Sequence, residues 1–358
     1  MGSFKKCALL ALGIALGSSL QGIAQAGSYV DVLDLPAKPS ALAVRSPLRD
    51  VAQAGQRLVA VGQRGHILYS DNGGKDWQQA RVPVSADLNS VHFPTPQQGW
   101  AVGNDGVILH SSDAGASWNK QLDGRQIGER VLAHYQALAA AEPANETWAQ
   151  YVAEGQRLVD EGADKPLLDV WFADARRGYA VGVFNLILHT EDGGQSWAPL
   201  QDRTDNPQSL HLNAISAVGE ELYIAGEQGL LLKWDAAQQR FAALPTPYQG
   251  TWFGVVGKPG ELLAYGLRGH VFRSGDGGQS WNQVETGLPV SITAGAVDAR
   301  GDIWLFSLAG HALRGTGDGA GFAVVAQEAL APVAGVAQDG ANQLVLVGER
   351  GVRTLALQ

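Results

Sequence analysis

The chain has 358 residues, 45% of them hydrophobic, with 46 glycines, a single cysteine and a formal net charge of −9 at neutral pH. So acidic a balance argues against general nucleic-acid binding, because a polyanion is repelled. One cysteine excludes intrachain disulfides and thiolate metal clusters.

Lys5 and Lys6 precede an apolar or small-residue run from Cys7 to Leu20, and Ala24-Gln25-Ala26 supplies a small-x-small cleavage site. The pattern predicts a secretory signal peptide over residues 1–26, cleaved after Ala26, and hence a periplasmic or secreted protein. Cys7 follows Phe4-Lys5-Lys6 rather than small residues, so a lipid-modified cysteine is not expected. Loss of the leader removes the only cysteine and takes the charge to −11. The remaining chain is long enough to bury a core without disulfides. No later segment reaches the ~18 consecutive apolar residues of a membrane span.

From there a hairpin-like unit recurs, most clearly at Gly99 to Trp118. An apolar run, a glycine-bounded turn and a second β-favouring run make a hairpin. Aligned on the first residue of that turn, the copies fall at Gly62, Gly103, Gly182, Gly226, Gly266, Ser307 and Gly348, at intervals of 41, 79, 44, 40, 41 and 41. The run before each turn, such as Arg57 to Gly62 or Gln343 to Gly348, is nearly all apolar, as in a strand covered on both faces. A further short strand lies upstream, as at Leu88 to Phe93, Leu167 to Phe172 and Leu212 to Ala217. Units of this size cannot bury both faces alone, so they must pack on one another. The expected fold is all-β, a seven-bladed β-propeller of four-stranded blades.

A second turn follows the third strand. It comprises Ser111, Asp113, Gly115 and Trp118 in blade two, Thr190, Asp192, Gly194 and Trp197 in blade three, and Ser274, Asp276, Gly278 and Trp281 in blade five. Blade one has Asn72 at the Asp position, and blades four and six keep only the aromatic, Phe241 and Phe322. In such a loop the hydroxyl and carboxylate bond the loop's own amides while the tryptophan enters the core. The seventh unit ends at Gln358, before a turn of this kind. Residues 29–44 are therefore expected to supply its fourth strand, closing the ring with strands from both termini.

The 79-residue interval exceeds the period by about 38 residues. Ile127, Val131, Leu132, Tyr135 and Leu138 fall at helical spacing. After Pro143, Asn145 is placed to cap a second helix carrying Trp148, Tyr151, Val152, Leu158 and Val159. A helical hairpin over residues 123–166, inserted after blade two, is expected within a single domain of residues 27–358. Its apolar stripe serves either packing or partner recognition.

The pairing of Ala-Val-Gly-x-x-Gly-x-Ile-Leu with Ser-x-Asp-Gly-Gly-x-Ser-Trp resembles the neuraminidase-repeat, or Asp-box, class of propellers. More narrowly, it resembles the photosystem II stability and assembly factor-like family. The resemblance covers Val30 to Gln358 apart from the insertion. It implies a non-catalytic seven-bladed propeller that binds partner proteins during assembly through an arginine-rich surface. Relatives in non-photosynthetic bacteria are exported and often encoded beside hydrophobe exporters.

No catalytic residue, cofactor or metal is nominated. The closest approach to a sialidase Arg-Ile-Pro motif is Phe272-Arg273-Ser274-Gly275, and no carboxylate pair is placed across a cleft as glycoside hydrolysis requires. His66, His270 and His311 share one position of the repeat and His110 and His189 another, so whole blades separate them and three cannot meet on a metal. The residue before the second glycine of the turn varies: Arg64, Asp105, Phe184, Gln228, Arg268, Ala309 and Arg350. Ring closure would make Arg350 and Arg64 neighbours, with Arg268 two blades away, and arginine forks bind carboxylates bidentately. The expected function is an exported, non-enzymatic assembly or accessory factor. It binds a protein or peptide partner through Arg64, Arg268 and Arg350, with no nucleic acid, in a setting compatible with peripheral membrane association. The alternatives are an accessory protein of a hydrophobe exporter and a glycan-binding or glycoside-hydrolase-like Asp-box protein.

Overall fold

Every apolar run before a turn becomes the second strand of an antiparallel sheet. Two of them, Gly99–Gly103 and Ile303–Ser307, are buried at every position. The computed structural model describes residues 30–316, 321–327 and 330–357. The expected signal peptide lies outside them, and the described residues from Asp31 onward form one compact unit. Among the described residues seven antiparallel sheets follow one another, each with its strands in simple sequence order. Six have four strands and the last, Gly335–Asp339, Gln343–Gly348 and Gly351–Ala356, has three.

The first strands of the sheets are Leu48–Ala54, Leu88–His92, Leu167–Phe172, Leu212–Val218, Trp252–Lys258, Ile292–Val297 and Gly335–Asp339. Each lies against the next, and Leu48–Ala54 lies against Gly335–Asp339. They are not hydrogen-bonded into one sheet; side chains join them. One apolar cluster sits between each consecutive pair of sheets, for example Leu212, Ile215 and Ile224 with Val181 and Ile187. A further cluster joins the first sheet to the last, with Leu48, Leu58 and Leu68 against Val345 and Val347. Withdrawing one such side chain from water is worth roughly 1.5–3 kcal/mol, so the junctions between sheets dominate the stability.

The N-terminal segment departs from expectation. It adds no fourth strand to the last sheet but runs as turns, with one 3-10 turn at Ala43–Arg45. Its backbone bonds go elsewhere: Ala37 N–H donates to Val82 O at 3.1 Å and Ser85 N–H to Val32 O at 2.8 Å. Pro36, Pro39 and Pro47 offer no N–H to a ladder, which disfavours a strand here. The segment instead plugs Leu33 into the cluster between the first two sheets. The 3-10 turn still abuts the last strand, so closely that a Cβ on Gly351 would collide with Val44 O.

The insertion forms α1, Gly124–Ala141, and α2, Thr147–Glu161. Asp123 caps α1, its Oδ1 accepting from Arg125 N–H at 3.1 Å. Asn145 Oδ1 accepts from Thr147 N–H at 3.2 Å, so the expected cap works one residue ahead of Glu146, which makes no side-chain bond. Gly128 and Gly155 let the helices approach closely, a Cβ on Gly155 standing 2.6 Å from Leu132 Cα. Much of the apolar stripe goes into packing: Ile127, Val131, Tyr135 and Leu158 join the cluster of the second and third sheets, while Val159 is exposed. α1 covers the third sheet's outer strand, Ala198–Pro199, and the Tyr135 hydroxyl lies 2.9 Å from Asp202 Oδ1.

Candidate functional site

The carboxylates of the second turns are engaged locally. Asp113 Oδ1 accepts from Ser111 Oγ and Ser117 N–H, both at 2.9 Å, while Trp118 Nε1 donates to Gly115 O at 3.0 Å. Asp192 and Asp276 repeat the carboxylate bonds in their own sheets. Asn72 stands in for the carboxylate, its Oδ1 accepting from Asp76 N–H. Trp281 donates to Gly278 O at 3.1 Å, whereas the buried Trp197 Nε1 has no partner among the described residues. Each of these carboxylates thus bonds within its own loop, in its own sheet.

The first turns form a different surface. In five of them the third residue of the turn is left-handed: Arg64, Asp105, Phe184, Gln228 and Arg268, with φ between 51° and 58°, and in the third sheet Asn185, itself at φ 61°, stands where the others have the second glycine. Neighbouring side chains hold some of these turns in place. Asp87 Oδ1 accepts from Arg64 N–H at 2.8 Å, and Ser291 Oγ from Arg268 N–H at 3.2 Å. Arg64, Arg268 and Arg350 are all exposed, and their guanidinium groups have no hydrogen-bond or ion-pair partner among the described residues. Phe184, Leu267 and Leu308, on turns of the same kind, are 46%, 37% and 53% exposed. The Arg157 guanidinium of α2 stands 5.7 Å over the Phe184 ring, so the hairpin borders this surface.

All seven first strands line one cavity of about 490 Å³. Leu308 and Glu349, both turn residues, also line it, so it opens among the first turns. Arg49 and Glu349 pair at 3.3 Å at this mouth. Deeper, Ser90 Oγ lies 3.0 Å from Asp50 Oδ2 and 2.6 Å from Asp169 Oδ1. Burial pushes both carboxyl groups up, Asp169 to about 7 against accepted hydrogen bonds that pull it down. Sequence reasoning missed this group. By strand register the equivalent residues are Asp50, Ser90, Asp169, Ala214, Gly254, Ala294 and Gly335. Aligning the first strands as the turns were aligned would have revealed polar residues in three consecutive repeats and small ones in the other four.

The histidines remain in separate sheets. His311 Nδ1 lies 2.9 Å from Ser307 Oγ and His110 Nε2 lies 2.7 Å from Gln98 Oε1. Among the described residues no group of three or more His, Cys, Asp or Glu side chains could hold a metal ion.

Seven antiparallel sheets set side by side, with their first strands lining one cavity, define a protein of the β-propeller class. The WD40 β-propeller domain of Doa1 superposes with a TM-score of 0.61 at 11% identity, over 91% of this chain and 97% of that one. More narrowly, the chain belongs to the family described as photosynthesis system II assembly factor YCF48, which matches residues 34–158 and 150–282. A solved structure of YCF48 bound to D1 peptide superposes with a TM-score of 0.65 at 15% identity, covering 88% of this chain and 94% of that one. The photosystem II assembly lipoprotein Ycf48 of Synechococcus sp. (strain CC9902) is 32% identical over 134 residues, 36% of this chain and 38% of the relative. The chloroplastic photosystem II stability/assembly factor HCF136 of Arabidopsis thaliana is 22% identical over 257 residues, 62% of this chain and 63% of the relative. The chain thus spans between about a third and just under two thirds of these two relatives.

Proposed function

We propose that this chain is an exported, non-catalytic assembly factor that binds a peptide segment of a membrane-complex partner. In this reading the signal peptide is removed after Ala26, and residues 27–358 form one domain with its insertion at 123–166. The seven sheets are then the blades of one closed ring. The peptide lies across the first turns, with Arg64, Arg350 and Arg268 meeting its carboxylates and Phe184, Leu267 and Leu308 its apolar side chains. The observation that carries the reading is a set of three exposed, unpartnered guanidinium groups on an otherwise acidic chain. A guanidinium fork matches a carboxylate bidentately, and a pre-organised arginine loses little freedom on binding. Family membership supports assembly of photosystem II or a related membrane complex as the setting, and a peptide as the ligand class. Neither the exporter-accessory nor the glycan-active alternative gains support from these likenesses.

The D1 peptide of the solved relative is the first probe, followed by fluorescence anisotropy. The Arg64→Ala/Arg350→Ala double variant is expected to bind at least about tenfold more weakly, near 1.4 kcal/mol, with the difference shrinking as salt screens the charges. Equal affinities, together with identical partners in pull-downs from membrane extracts, would discard the arginine surface.

A further inference from the structure

The cavity wall holds a polar chain that peptide binding leaves unused. Ser90 Oγ contacts a carboxylate oxygen on each side, at 3.0 Å from Asp50 and 2.6 Å from Asp169. A hydroxyl has one hydrogen and can donate to only one of them. Were both carboxyls ionised, the second contact would press oxygen against oxygen with no hydrogen between. With one protonated, its O–H donates to Ser90 while Ser90 donates to the other. Backbone amides complete the shell: Val51 and Val91 donate to Asp50, Val170 and Ile215 to Asp169. The chain therefore ties together the first strands of the first four sheets.

Among the described residues no basic side chain pairs with Asp50 or Asp169. Arg49, at the mouth, is engaged by Glu349. His92, two residues beyond Ser90, accepts from Phe172 N–H at 3.2 Å, and burial pulls it down to about 4, so it is neutral. Tyr265, on the opposite wall, stays a phenol, raised by burial and by Asp169 and Asp50.

We propose that Asp50, Ser90 and Asp169 form a proton-dependent clasp, in which one shared proton fastens the sheets at the cavity wall and its departure loosens them. Both carboxyls are raised in the fold, Asp169 to about 7 from an ordinary 3.8. The folded state therefore holds a proton that the unfolded chain releases: the clasp's contribution to stability declines as pH climbs above about 4, and the clasp itself opens as pH passes through about 7. Because the cavity opens among the first turns, loosening alters the mouth of that surface whichever partner it binds.

Carboxyl-labelled aspartate followed by NMR from about pH 5 to about pH 9, with amide exchange in parallel, tests the clasp. In the wild type one carboxyl resonance is expected to titrate near neutrality. Val91, Val170 and Ile215 amides should lose about tenfold in protection, beyond the intrinsic base-catalysed trend, across that step. Asp169→Asn should abolish the step, and Ser90→Ala should make the amides of Asp50 and of Asp169 respond at different pH values. If both wild-type carboxyls titrate below about pH 5, or the amides keep their protection throughout, the clasp is refuted. The wild-type titration decides this even if a variant fails to fold.

Discussion

Asp192 draws its stabilisation from its own loop. Burial raises its carboxyl, but the Ser196 hydroxyl and amide, with Thr190, outweigh this and hold it at about 2 against an ordinary 3.8. The unfolded chain takes up its proton first as pH falls, so the contribution is complete above about pH 4 and lost as pH drops through about 2. Asp192→Asn is expected to fold, because Asn72 occupies the equivalent place with the same amide bond. It should cost about 1 kcal/mol at neutral pH, one weakened hydrogen-bond set. It should also flatten the loss of stability between about pH 4 and 2, measured by denaturant titration in stepped buffers. Parallel pH profiles for variant and wild type would mean that the loop does not hold the carboxylate in this way. The three bonds that Asp192 accepts, from the Thr190 hydroxyl and from the Ser196 amide and hydroxyl, all come from its own loop.

The helical hairpin depends on two glycines that helix propensity alone would replace. Alanine at position 155 gains up to about 1 kcal/mol in propensity. Its Cβ, however, stands 2.6 Å from Leu132 Cα, backbone that cannot step aside. Overpacking of this kind costs about 1–3 kcal/mol, so the net effect of Gly155→Ala is expected to be destabilising. Hydrogen exchange should quicken across 124–161 while the sheets keep their protection. An unchanged or slower rate would show that the helices can part without loss. The same hairpin shows how an apolar stripe, equally suited to a partner or to a core, is assigned: Tyr135 reaches Asp202 and joins the cluster of the second and third sheets with Ile127, Val131 and Leu158, while Val159 stays exposed.

For the molecule as a whole, stability lies between sheets rather than within them. Val345, in the last sheet, is fully buried against Leu58 and Leu68 of the first. Val345→Asp places an unpaired carboxylate there, at a cost of several kcal/mol. Protection should fall in Leu48–Ala54 together with Gln343–Gly348, as measured by exchange of both segments. Loosening confined to the last sheet would show that the two are energetically independent. The proposed arginine surface belongs to this scale too, since Arg64 and Arg350 could act together only if the first and last sheets stay joined.

Local pattern in the sequence was enough to reveal the repeat, the strands, the Asp-type loops, both helices and the arginine-bearing turns. Each of these rests on residues a few positions apart, where backbone sterics and periodicity act directly. Only the tertiary structure decided where the N-terminal segment lies and that the last sheet keeps three strands among the described residues, because prolines and the competing backbone partners, the Val82 carbonyl and the Ser85 amide, weigh against a strand. It alone brought Ser90 onto Asp50 and Asp169, 40 and 79 residues away. Contacts at such separations depend on how packed sheets present equivalent positions to one cavity, and that is a property of the assembled fold rather than of any stretch of it.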